Sequence, residues 1–573
     1  MEWDLALLYK ADEEAVEDSK KAVERAGKIL EEWSGKIKPD ISFEEIKKLL
    51  EDIEQVLWLS MKPLQYASLR FSKNMGDPSN QRLYGLMSSN QAKVEEAIAV
   101  LRAKIASLPE EKLRELAENI PEYRHVLEKA IREKKHVLSE EAEKVLAALS
   151  VSRRDAAAEL YEKMTASYVF EIDGKKMTGD EVRALRHSKD GDLRKRAMKV
   201  FFERYAQDKL FIEGLYNIVV KDWDTEARLR GYEKPISMRN LENEVDDAAV
   251  QRLIDVTTSN TNLVADYYRW KSEYMGEELT LADIYAPIAE ENKIDFEEAK
   301  EIVLEAYYNF SEKVGDIVKS FFDEKRIDVF PVKGKRGGAF CSYYVPNGKP
   351  FVLLNFTGKL RDISTLAHEL GHGIHGTLSS KQNLLNYHTP LTMAEVASVF
   401  GEFLVFDLLR ERLDGEARRA LIASTIEDLF ATMFRQNMFA RFEIKAHDRI
   451  TKNGYASYDE LSEIYSQELE GMFKDSVKIT EEYHREWSAI PHIFFAPFYV
   501  YAYNFANALV IALYEKYLEE GKSFVPKYLQ LLESGGNDFP EKLLEKVGVD
   551  LKDENFWQRA FDFIGKLIEE VRV

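Results

Sequence analysis

Along most of this chain apolar residues recur three and four positions apart with charged residues between them, the period of helices that bury one face. The pattern runs from the start to about residue 160, returns from about 192 to 325, and resumes from 361 almost to the end. Helix-start signals accompany it. Ser42 stands three residues before Glu45 in "ISFEEIKKLL", and Ser107 three before Glu110 in "SLPEEKLREL". Both read as capping boxes, the second with Pro109 in the first turn, where its missing N–H is harmless. "NMGDPSNQ" (74–81) predicts a turn between two helices, since Gly and Asp-Pro break both regular periods.

Two segments depart from the helical period. In "SYVFEIDGKKMTG" (167–179) alternating apolar residues meet Asp173-Gly174, which predicts a β-hairpin. It marks a domain boundary, with a helical lobe over 1–190 and a second, chemistry-bearing domain over 191–573; a hairpin decorating a helical protein fits the same text. Residues 326–358 are punctuated by Gly and Pro and carry "FVLLNF" (351–356), read as a buried strand of a small sheet. No internal repeat or low-complexity tract is found. The expected fold class is mainly α.

Composition narrows the function classes. With 80 Lys and Arg against 101 Asp and Glu, the net charge of −21 works against binding a phosphate backbone, so no nucleic-acid partner is expected. A single cysteine, Cys341, allows no intramolecular disulfide. The opening "MEWDLALLYKADEE" is too acidic for a signal peptide, and nowhere do eighteen apolar residues run together. A cytoplasmic protein without a membrane span is the expectation.

The strongest chemical signal is "TLAHELGHGIHG", which spends three of the chain's ten histidines within eight residues. Four residues apart on a helix, His368 and His372 point the same way and can share one metal ion. Glu369, to the side of that row, can take a proton from a water on the ion. The set suits one zinc with an open position. Ser364 or Thr365 is expected to cap this helix ahead of the stripe Leu366, Leu370, Ile374. Glu395 and Glu402, seven apart on an otherwise apolar stretch (392–406), offer a third ligand and a partner for a ligating histidine. Against this stands the reading that both acids face solvent. His388 is a weaker third-ligand candidate, and His375 a packing or supporting residue.

"LAHELGHGIH" followed by "AEVAS" resembles the thimet oligopeptidase family, especially its oligoendopeptidase F branch. "ARLRGYEKPISMRNLENEV", "RIDVFPVKGKRGGAFCSYY", "IPHIFFAPFYVYAYNFA" and "LLESGGNDFPEKLLEKVGVDL" extend the similarity over most of the chain. The resemblance implies a prolate, two-lobed helical metallopeptidase with a deep central channel, zinc at its floor and the small sheet beside the active-site helix. It implies short unstructured peptides as substrates, His368, His372 and Glu395 as zinc ligands, and Glu369 as general base. It also implies that a His and Tyr-rich loop stabilises the oxyanion, with His492 and Tyr501 the best matches and Tyr499 next. Phe494, Phe495 and Pro497 stand where the thimet-type loop has glycine. Without that resemblance the aromatic stretch reads as core.

The reading is a zinc-dependent oligoendopeptidase, monomer or homodimer. "FVLLNF" is the expected edge for an extended peptide, and "KGKRGGAF" (333–340) a flexible or solvated basic loop. The alternatives are a carboxypeptidase, for which Arg336 is a weak carboxylate-binding candidate, and a non-catalytic peptide-binding protein with a structural zinc.

Overall fold

The computed structural model describes residues 1–149, 152–289 and 293–573. Helices form where the periodicity predicts them, and their ends follow local chemistry. Helix Phe43–Lys73 opens on Ser42, whose hydroxyl accepts the Glu45 N–H at 3.2 Å while the Glu45 carboxylate accepts the Ser42 N–H at 3.0 Å. Helix Pro78–Ser107 starts behind an Asp77 cap, closing the turn expected there. The second predicted capping box does not form. Helix Glu110–Asn119 has no side-chain cap, and Ser107 donates its hydroxyl to the Lys104 carbonyl at 2.7 Å. Ser107 is still the last residue of the preceding helix, so its hydroxyl bonds back within that helix.

Among the described residues five short strands interrupt the helices: β1 (Phe170–Ile172), β2 (Lys175–Met177), β3 (Ile327–Asp328), β4 (Phe340–Ser342) and β5 (Phe351–Leu353). β1 and β2 form the expected hairpin, with Asp173 (φ 50°) and Gly174 (φ 77°) both left-handed at the turn. The other three make one sheet in the order β3-β5-β4, parallel between β3 and β5 and antiparallel between β5 and β4. β5, expected to be an edge, is therefore the central strand, and all three of its residues are buried. An apolar run without alternation is what a strand covered on both faces requires.

Compactness divides the chain into two units, each assembled from three stretches. One comprises Met1–Lys135, Glu291–Arg412 and Lys516–Asp550, the other His136–Glu290, Leu413–Glu515 and Leu551–Val573. The boundary expected near residue 190 falls inside the second unit. The interleaving follows from cores shared by helices distant in sequence. In the first unit Phe310 packs edge-on against Phe400, Tyr517 and Tyr528. One of its apolar clusters joins Ile46, Leu49 and Ile53 to Val94, Ile98 and Leu101. In the second unit Tyr267 donates to Glu427 at 2.6 Å, and buried Arg194 pairs with Asp283 at 2.8 Å. Among the described residues no helix is long and apolar enough to cross a membrane.

Candidate metal centre

The helix that carries the histidine cluster, Leu360–Leu378, lies in the first unit and begins earlier than Ser364 or Thr365. The Asp362 carboxylate is the reason: it accepts the N–H groups of Thr357, Gly358 and Lys359 at 2.7, 2.9 and 3.1 Å, which fixes the entry turn. Leu366, Leu370 and Ile374 are buried as the apolar stripe predicts. The second carrier, Val396–Arg412, follows a short turn Leu391–Ala394, with Glu395 at the joint. The two helices approach closely because two glycines leave room. A Cβ on Gly371 would lie 2.4 Å from the Ala397 carbonyl oxygen, and one on Gly401 would lie 1.9 Å from the Tyr307 hydroxyl. That hydroxyl donates to the Ala367 carbonyl at 2.7 Å, one residue before His368.

This approach brings Glu395 to the histidines. Its Oε2 lies 3.4 Å from His368 Nε2 and 3.5 Å from His372 Nε2, and one donor atom from each of the three residues lies within 4.8 Å of the others. A tetrahedral ion with ligands at about 2.0–2.2 Å has donor–donor edges of about 3.3–3.6 Å, so the spacing fits a small divalent cation. Among the described residues no fourth His, Cys, Asp or Glu joins the group, which leaves room for solvent or substrate. Glu402 Oε1 stands 2.6 Å from His368 Nδ1, holding the ring with Nε2 on the side of Glu395. Ser398 donates its hydroxyl to Glu395 Oε2 at 2.6 Å. Sequence reasoning passed over Ser398, although its place three residues after the acid is a usual one for such a local bond.

Electrostatics distinguish the members. Burial pushes the Glu369 carboxyl up; the His368 charge works against this, and the neighbouring Glu395 and Glu402 carboxylates add to it, leaving it at about 7. The backbone N–H of Cys341, on β4, faces this carboxylate and favours its charge. A base balanced near neutrality both accepts and returns a proton readily. Burial disfavours a charged His368, but the bonded Glu402 outweighs it and raises the ring to about 9. Burial lowers His372 to about 4, leaving a neutral imidazole suited to a metal.

The remaining predicted residues are placed as follows. His375 is buried, is pushed down to about 3 by burial, and its Nδ1 has no hydrogen-bond partner among the described residues. His388 stands outside the donor group: its Nε2 meets the Tyr344 carbonyl at 3.1 Å and its ring stacks on Tyr343. The basic loop is pinned. Lys335 is buried against Asp328 and donates to the Phe330 carbonyl at 2.8 Å, while Asn355 donates to the Arg336 and Gly338 carbonyls at 2.9 and 2.7 Å. Arg336 lies over the Phe340 ring at 5.4 Å.

The aromatic stretch belongs to the second unit. His492 is exposed, and Tyr499 and Tyr503 are half-buried. The Tyr499 ring is 6.4 Å from that of His492 and 5.4 Å from that of Tyr503, whose hydroxyl is 3.5 Å from His492 Nε2. Tyr501 is fully buried, and its hydroxyl accepts the Asn243 amide at 2.8 Å. Phe498, between them, adopts φ +57°. For a bulky residue that backbone costs on the order of 1–2 kcal/mol.

Comparison with known proteins extends beyond the site. A profile described as peptidase family M3 matches residues 184–563, and one described as oligopeptidase F matches residues 104–170. An oligoendopeptidase F homolog of Borreliella burgdorferi is 29% identical over 586 aligned positions, covering 100% of this chain and 97% of its own length. Oligopeptidase PepF of Bacillus subtilis is 28% identical, over 99% of this chain and 86% of that protein. A crystal structure from Chlamydophila abortus superposes with a TM-score of 0.88 at 24% identity, covering 100% of this chain and 98% of that one. At such identity the superposition speaks for the fold.

Proposed function

The chain belongs to peptidase family M3, and from that premise we propose that it is a zinc-dependent oligoendopeptidase that cleaves internal bonds of short unstructured peptides. The observation that carries this reading is the group of His368, His372 and Glu395, with donors spaced for one small cation and the Glu369 carboxyl on the same helix beside them. His368 Nε2, His372 Nε2 and the Glu395 carboxylate would hold the ion. The chemistry such an ion supplies is Lewis acidity, which acidifies a water and polarises a carbonyl.

The chain's own residues do the rest. Glu369 takes the proton of the attacking water and later delivers it to the nitrogen of the leaving amine. Glu402 keeps His368 oriented through Nδ1, and Ser398 holds Glu395 at its Oε2. β3 and β4 are the two edges of the sheet, and β4, whose Cys341 N–H faces the Glu369 carboxylate, is the one on which an extended peptide adds by main-chain hydrogen bonds. Such pairing ignores most side chains, which makes for broad specificity.

His492 and Tyr499 supply donors to the carbonyl oxygen as it gains charge. Their partly exposed rings support this, whereas the burial of Tyr501 and its bond to Asn243 support a structural part for that residue. The test is mass spectrometry of digests of a peptide-length ladder with and without chelator. Internal cleavage of the shorter peptides, abolished by chelator, is expected. Release of single C-terminal residues, or hydrolysis indifferent to chelator, would contradict it.

A further inference from the structure

The segment carrying His492 and Tyr499 is shaped by one turn whose residue choice is unusual. Tyr499 N–H donates to the Ala496 carbonyl at 3.0 Å, with Pro497 at the second position and Phe498 at φ +57° in the third. Those three features define a type II turn, whose third position ordinarily takes glycine. A phenylalanine there is strained, and it persists because its surroundings over-determine it.

Three contacts, all within the second unit, do so. Glu443 is completely buried on helix Arg435–Asn453, and its Oε1 accepts the Phe498 N–H at 2.8 Å. Arg239 donates Nε to the Pro497 carbonyl at 3.1 Å, so the one peptide group between Pro497 and Phe498 is held at both its oxygen and its N–H. The Phe498 ring packs at 4.3 Å on His447, whose Nδ1 is fixed by Asp224 at 2.6 Å, and at 6.4 Å on Trp223. Glu443 Oε2 has no hydrogen-bond partner among the described residues, and burial pushes its carboxyl up to about 8. A buried carboxyl is expensive to keep for packing alone, because an apolar side chain of that size fills the same space without desolvation. Among the described residues the hydrogen bond of Glu443 is to the strained amide, and the Arg239 charge favours its ionised form.

With Phe498 turned inward, Tyr499 is turned outward beside His492. We propose that Glu443 and Arg239 are positioning residues that clamp this turn and so hold Tyr499 in its outward place beside His492. The inference rests on the proposed peptidase function, and it assigns neither residue a contact with substrate.

The test is a double-mutant cycle on the full, zinc-loaded chain. Glu443→Leu removes the acceptor at similar volume and should lower kcat by on the order of 100-fold, the effect of a displaced catalytic group, with KM and bound zinc nearly unchanged. In a Tyr499→Phe background the same change should lower kcat by less than about 3-fold, because the group it positions is already disabled. Glu443→Gln keeps an acceptor oxygen and should restore near-native turnover. If Glu443→Leu does not fold, Arg239→Met carries the same cycle, with a smaller loss and the same non-additivity. A wild-type chain without metal-dependent peptidase activity overturns the function itself. An active wild type in which the Glu443 or Arg239 variant and Tyr499→Phe lower kcat by factors that multiply overturns this inference alone.

Discussion

The histidine-bearing helix Leu360–Leu378 and the aromatic segment from Pro491 to Tyr503 both present groups suited to peptide hydrolysis, but they are aimed by opposite means. On the helix, direction comes from regular backbone: four residues bring His372 beneath His368, and the next turn is free to pack. In the aromatic segment, direction comes from a strained turn held by side chains remote in sequence. Glu443 is 55 residues from the amide it accepts, and Arg239 and Asn243 are each 258 residues from their partners. A site built on regular structure declares itself by spacing, and one built on an irregular turn does not.

Five changes break or sharpen this contrast. His372→Ala removes one of three donors, and bound zinc and peptidase activity should both fall to the level of the chelated protein, measured by elemental analysis and hydrolysis of a quenched peptide. Glu369→Gln should keep the zinc yet lower kcat by about 10²–10⁴-fold. In the aromatic segment Tyr499→Phe should lower kcat by on the order of 10²-fold, as for loss of one oxyanion donor, while Tyr501→Phe leaves kcat within a few-fold and lowers Tm. Glu402→Gln, which loosens His368 without touching the ion, should cost about 10–100-fold in zinc affinity or turnover.

The smallest effect concerns stability against pH. Burial raises Glu443 from 4.5 to about 8, so the folded chain keeps its proton to higher pH than the unfolded one. That contribution is fully present below the unfolded value and is lost as pH rises through the folded one. The Tm of the wild type should therefore fall more steeply than that of Glu443→Gln as pH rises from about 4.5 to about 8, and parallel curves over that span would contradict it.

Much of the candidate site's geometry was legible. That His368, His372 and Glu395 would come together, with Glu402 on His368, follows from helical spacing and from the expense of acids on an apolar face. Less was legible where the answer depends on backbone contacts between elements. Asp362, not Ser364 or Thr365, sets the helix start, because it reaches three amides of the preceding loop at once. The room that Gly371 and Gly401 leave between the helices cannot be read from a sequence, since many glycines have nothing near them. The place of "FVLLNF" at the centre of its sheet was available in principle: it lacks the alternation of a half-exposed strand. The interleaving of the two compact units was not, because it rests on packing between stretches hundreds of residues apart.

The central claim is that His368, His372 and Glu395 hold one zinc ion that the reaction requires. The most direct measurement is a zinc titration of the chelated protein, followed by peptide hydrolysis and by native mass spectrometry together. Activity rising in step with occupancy and saturating at one equivalent per chain is the predicted result. Activity that survives metal removal, or zinc that binds equally well to the Glu395→Ala variant, would contradict it.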